Sequence, residues 1–126
     1  MVWTMLYFRG GMPVVFVIAR DWTLRTGVRA ELREQGIDAL GMESPDDAGR
    51  ALAAGQMPSA LVIEVTAEIA GDPGLQHLMA RVPAVLVASR TEKIPLPAAH
   101  SVFYRPVRIA DITARVREIL RRGHAA

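Results

Sequence analysis

Three histidines are the side chains best suited to bind a metal or to move a proton near neutral pH. His77, His100 and His124 stand far apart in the chain, and none has a second ligand at the spacing of a metal site. Each has a simpler reading: His77 on a helix face, His100 in a loop, His124 in a C-terminal tail. There is no cysteine, which removes disulfides, thiolate zinc sites and a cysteine nucleophile together. The chain contains no Gly-rich phosphate loop, no Ser-His-Asp order and no nucleophile motif. Trp3 and Trp22 read as packing residues and not as a stacking platform. Arg115, Arg117, Arg121 and Arg122 read as the solvated face of a helix. A face of like charge can also steer an acidic partner or nucleic acid. Neither a metal nor a cofactor follows from these residues.

The chain of 126 residues, 51% apolar and 22% charged, has the size and composition of one globular domain with a single core. Its net charge of +2 gives little support for a nucleic-acid partner. The absence of cysteine suits a reducing cytoplasm, so a cytoplasmic location is expected. The apolar runs Val14–Ala19 and Ala84–Ala88 fall far short of the roughly 20 residues a membrane helix needs. Residues 1–11 are apolar and aromatic and end at Arg9 and two glycines. A signal peptide would carry its positive charge before the apolar stretch. Three readings remain: an extra strand or arm, an upstream start ahead of Met12, or a leftover of cloning. The last two are preferred, and the domain is taken as residues 12–126.

From Val14 onward, strand and helix signals alternate. Val14–Ile18 is a β-branched and aromatic run expected of a strand buried on both faces. Asp21 is an N-cap candidate. Leu24, Val28 and Leu32 then recur every four residues, and Gly36 is a stop signal. Ile37–Met42 is a weaker strand. Ser44-Pro45-Asp46-Asp47 combines a capping hydroxyl, a first-turn proline and acids at the positive helix end, and predicts a helix to about Gly55. Leu61–Val65 is the next buried strand. Asp72-Pro73 starts a third helix carrying Leu75, Leu78, Met79 and Val82, and Pro83–Ala88 is a fourth strand. Ser101–Tyr104 is a fifth, followed by a helix over about Ile109–Arg122 with Ile109, Ile112, Val116, Ile119 and Leu120 on one face. The connection Ser89–His100 contains Ile94-Pro95-Leu96-Pro97, which forbids a regular helix. It is expected to be a loop or a short turn, with Ile94 and Leu96 available as an apolar contact. This alternation predicts a parallel sheet covered on both faces.

Two stretches carry a resemblance to a known family. Asp47–Val65, DAGRALAAGQMPSALVIEV, resembles the helix-to-strand passage of response-regulator receiver domains, where an Ala-Leu pair precedes a strand ending in aspartate. Tyr104–Arg122, YRPVRIADITARVREILRR, resembles the Lys-Pro-Phe of that family and its amphipathic last helix. With the order of elements, the resemblance covers Val14 to Arg122. It implies a three-layer, flavodoxin-like α/β fold with a five-stranded parallel sheet, here with the fourth crossover helix short or absent.

The resemblance also implies where a phosphorylation site would lie, at the carboxyl ends of the strands. The two acids that hold magnesium in the family fall on Ala19 and Arg20, and a shift of one residue brings only Asp21 into the second place. The phosphoacceptor falls on Glu64, one methylene longer than aspartate. The phosphate-contacting hydroxyl falls on Ala88, with Ser89 one residue late. The switch aromatic falls on Val102, and the lysine on Arg105, which keeps the charge but not the shape. The five departures at Ala19, Arg20, Glu64, Ala88 and Arg105 together leave no magnesium-dependent phosphoryl transfer, a chemistry of positioning and charge neutralisation. Glu64 would instead lie between Arg20 and Arg105, a charge lock that needs no metal.

The resemblance therefore implies a pseudo-receiver: a non-enzymatic protein-interaction module of signal transduction or transcriptional regulation, without a cofactor. Its partner would be a histidine kinase, a regulator or another receiver, or a second copy, engaged through strand five and the last helix. Two alternatives are a phosphorylatable single-domain regulator with an atypical acceptor and a small-ligand sensor with its pocket at the strand ends.

Overall fold

The structure, a computed structural model, describes residues 13–90 and 101–125. The N-terminal segment 1–11 and the stretch with Ile94 and Leu96, where the fourth crossover was expected, lie outside these residues, as does His100.

Five strands form one parallel sheet: β1 (Val14–Ile18), β2 (Asp38–Met42), β3 (Ala60–Glu64), β4 (Ala84–Ala88) and β5 (Ser101–Tyr104). Their order across the sheet is β2-β1-β3-β4-β5. The sequence pattern follows from that order. The three inner strands have neighbours on both edges and helices on both faces, so VVFVI, ALVIE and AVLVA are almost wholly buried. The outer strands β2 and β5 alternate between covered and exposed residues, which explains the weaker strand signal of residues 37–42.

Side chains on alternate strand positions feed two separate cores. Phe16, Ile18, Leu61, Ile63 and Leu86 face α2 (Pro45–Ala53), α3 (Ala67–Ala70) and α4 (Pro73–Met79). Val15, Val17, Val62, Val85 and Val87 face α1 (Trp22–Glu34) and α5 (Ile109–Ala125). Burying each large aliphatic or aromatic side chain is worth about 1.5–3 kcal/mol.

The helix boundaries have local causes. The Asp21 side chain accepts the N–H groups of Thr23 and Leu24 and starts α1, which stops before Gly36, held at φ +80°. Ser44 caps α2 ahead of Pro45, and the following turn uses Gly55 at φ +94°. Asp72 caps α4, whose Leu75, Leu78 and Met79 are buried; Val82 is buried too, but lies past the helix end. The four-residue helix α3, capped by Thr66, was not expected. The last helix runs three residues beyond Arg122. Its inner row is Ile112, Val116 and Leu120, while Ile109 and Ile119 are only partly buried.

α1 and α5 pack closely. A β-carbon on Gly27 would lie 3.3 Å from Ile109 Cδ1. Next to this contact the buried Thr113 hydroxyl donates to Glu31. Arg115, expected in the solvated face, is anchored: its Nε donates to Ser101 Oγ at 2.6 Å and its guanidinium also pairs with Glu118. The other expected members, Arg117, Arg121 and Arg122, are exposed.

Candidate functional site

The strand order reverses between β1 and β3, so their carboxyl ends splay the following connections apart and leave a crevice there. Asp21 follows β1, Glu64 ends β3 and Arg105 follows β5. These three meet.

Glu64 is the centre of the cluster, with its side chain only 16% exposed. Its Oε1 accepts two backbone N–H groups, from Arg20 at 2.8 Å and Asp21 at 3.0 Å. Its Oε2 accepts Arg105 Nη2 at 3.0 Å. The other arm of the same guanidinium, Nη1, reaches Asp21 Oδ2 at 3.3 Å. Asp21 keeps its Oδ1 for the cap, accepting from Thr23 N at 2.9 Å and Leu24 N at 3.2 Å. One planar cation thus spans two carboxylates whose remaining oxygens are held by peptide N–H groups, a strong charge-assisted arrangement. Arg105 itself is fixed at its backbone, where its N–H donates to Ala88 O at 2.9 Å.

The expected lock between two guanidiniums holds on one side only. The Arg20 side chain turns away from Glu64 and pairs with Glu68, through Nε at 3.0 Å and Nη2 at 2.9 Å. The cause is twofold. Glu64 Oε1 is already filled by the two peptide groups, and α3 places Glu68 within reach. Both members of this outer pair are about half exposed, at 59% and 48%. Glu68 was missed because nothing in its own sequence neighbourhood marks α3 apart from the capping Thr66.

The other expected positions are spread around this cluster. Ala19 is buried, and its N–H donates to Met42 O. Its carbonyl accepts Arg25 Nη1 at 2.7 Å. Ala88 is buried at the end of β4, with Ser89 half-covered beside it. Val102 lies on the exposed side of β5 at 36% exposure, as does Tyr104. Trp22 corrects the sequence reading: it is 67% exposed and not a packing residue. It is the first residue of α1, two before the buried Leu24, and two helical steps of about 100° turn it away from the core. His77 is on an exposed helix position, as expected. Among the described residues, no group of three His, Cys, Asp or Glu side chains is placed to hold a metal ion, and no helix is long and apolar enough to cross a membrane.

Neither protein-family models nor curated proteins match the chain. Solved structures do. A response regulator receiver protein from Burkholderia phymatum is similar at 20% identity and a TM-score of 0.68, over 86% of this chain and 94% of that one. The receiver domain of the Francisella response regulator 1452 is similar at 16% identity and a TM-score of 0.69, over 88% and 98%. A receiver domain protein from Clostridium thermocellum reaches a TM-score of 0.72 at 11% identity, over 90% and 98%. At such identities the likeness speaks for architecture, and the sheet order agrees with it: the chain has the receiver fold, a flavodoxin-like five-stranded parallel sheet between two layers of helices.

Proposed function

We propose that this chain is a pseudo-receiver, a protein-interaction module of signal transduction or transcriptional regulation that works in the cytoplasm without phosphorylation and catalyses no reaction. The observation that carries this reading is the Arg105 guanidinium bridging Asp21 and Glu64. These residues do not suit a magnesium ion. Magnesium demands near-octahedral oxygen ligands, whereas Ala19 offers no side-chain donor and the place between the two carboxylates holds a cation already. The Glu64 oxygens have three N–H partners and are not presented as a nucleophile.

With phosphorylation set aside, the remaining role for the fold is recognition. A histidine kinase, a transcriptional regulator or another receiver is the class of partner, and the surface of β5 and α5, with Val102 and Tyr104 exposed, is where it would bind.

Incubation with acetyl phosphate and magnesium, read by intact mass, tests the reading. No phosphoryl mass should be added, and Glu64→Asp alone should not restore it. A labile adduct on Glu64, or on its aspartate variant, would overturn the proposal in favour of an atypical acceptor.

A further inference from the structure

The two helical layers carry opposite charge. α1, Arg108 and α5 hold eight arginines against four acids. From Glu43 to Arg81, the stretch that supplies α2, α3 and α4, six acids face two arginines. Local pairing narrows the difference without cancelling it: Glu64 pairs with Arg105, Glu68 with Arg20 and Asp47 with Arg50, which leaves Glu43, Asp46 and Asp72 against Arg81. Arg25 and Arg29 donate to the backbone carbonyls of Ala19 and Ala39, and not to acids. On the other layer Glu43 and Asp46 are exposed with no ion pair among the described residues. Helix stability does not ask for this either, because the like charges Arg25, Arg29 and Arg33 at four-residue spacing repel one another along α1.

Each layer also carries one apolar feature. On the basic layer it is the exposed Trp22, one turn before Arg25. On the acidic layer it is a cleft of about 80 Å³ between α2 and α4, lined by Ala48, Leu52, Leu75 and Leu78 with Asp72 beside them. Gly49 leaves one wall low, with no atom within 4 Å of where its β-carbon would stand.

We propose that a second copy of this chain docks head to tail, with Trp22 of one copy against the α2/α4 cleft of the next and the arginines of α1 facing Asp46 and Asp72. The cleft takes the edge of the indole and not the whole ring. Charge selects this occupant: a symmetric contact of either layer with itself would bring like charges together, whereas the head-to-tail contact brings opposite ones together. Such a contact is heterologous: each added copy brings a free Trp22 and a free cleft, so it propagates until a ring closes. It is independent of whether Glu64 accepts phosphate.

Sedimentation velocity on the full chain tests it, at about 20 mM and about 500 mM salt, on either side of effective screening. At low salt the weight-average mass should climb above the 13.7 kDa monomer as concentration rises, and at high salt it should fall back. Trp22→Ala and Gly49→Arg change exposed positions on opposite layers, and each alone should weaken association at least tenfold while circular dichroism stays unchanged. A one-to-one mixture of the two variants should form dimers and nothing larger, because one variant keeps the cleft and the other keeps Trp22. A wild-type mass that stays monomeric at low salt overturns the proposal. So does a mixture that stays monomeric while the wild type associates, or a single variant that associates as before.

Discussion

The sheet interior and the polar cluster at its carboxyl end are only a few residues apart, yet they are held together by different forces. In β1 and β3, Phe16, Ile18, Leu61 and Ile63 are fully buried and belong to one apolar cluster. Their contribution scales with buried area and has no dependence on charge. One residue after Ile63, Glu64 depends on two peptide N–H groups and one guanidinium. Its contribution is a small difference between desolvation and attraction. The contrast teaches where this domain tolerates redesign: volume governs the interior, partner geometry governs the strand ends.

The largest effect should come from the interior. Phe16→Ala should cost about 3–5 kcal/mol, measured by urea denaturation, and the loss should not change with salt. A cost below about 1 kcal/mol would remove the distinction between the two regions, since surface changes already reach that scale.

Glu64→Ala should come next, at about 1–3 kcal/mol, because it leaves one arm of Arg105 and two peptide groups without their acceptor. Glu64→Gln should cost less, as it keeps volume and an acceptor oxygen. A double-mutant cycle with Arg105→Ala should show coupling above about 0.3 kcal/mol, and one with Arg20→Ala should not. The reverse assignment would mean that Arg20, and not Arg105, holds the carboxylate.

Smaller again is the half-exposed Arg20–Glu68 pair. Removing either partner should cost less than about 1 kcal/mol, and the loss should shrink in high salt. A larger, salt-independent cost would make this pair part of the enclosed cluster.

At the acid end, Asp47 supplies a minor term. The N–H of Glu43, at 3.1 Å, and secondarily the Arg50 guanidinium, hold its carboxyl below the ordinary value of 3.8, against the opposing effect of burial. A depressed carboxylate adds stability that is present above its unfolded pKa and is lost as pH falls through the folded one. Asp47→Asn should therefore lower stability slightly at neutral pH, converge with the wild type in acid and so flatten part of the stability loss below about pH 4. An unaltered acid limb would show that other carboxylates set it. Magnesium at millimolar concentration should have the least effect, with no saturable shift in Tm beyond that of matched ionic strength.

The interior was legible in the sequence because buried parallel strands announce themselves as unbroken apolar runs. β1, β3, β4 and β5 were placed within one residue of where they lie, and Asp21, Ser44 and Asp72 were legible as caps or helix starts. The cluster was legible in part. Arg105 and Glu64 were paired through the resemblance, which fixes their strand ends, but the direction of Arg20 was not. That direction depends on α3, a helix too short to produce a periodic signal, and on peptide N–H groups that have no letter of their own. Trp22 was misread for a related reason. An aromatic at the first helical position has no periodic neighbour to show which way it faces.

The closeness of α1 and α5 at Gly27 acts as a length gauge for the whole site. Asp21 caps α1, and α5 follows shortly after Arg105, whose backbone is tied to Ala88, so a shift of α1 relative to α5 is felt first where the guanidinium reaches Asp21. A methyl group at Gly27 would meet Ile109 at 3.3 Å, while alanine would gain about 1 kcal/mol of helix propensity. If the Ile109 side chain gives way, Gly27→Ala stiffens α1 and the cluster keeps its dimensions. If the helices part instead by a few tenths of an ångström, the 3.3 Å reach from Arg105 to Asp21 is the first contact to open, ahead of the shorter one to Glu64. One hydrogen atom in place of a side chain, packed on Ile109 about 15 Å of chain contour from Arg105, thus calibrates the tolerance of the ionic cluster.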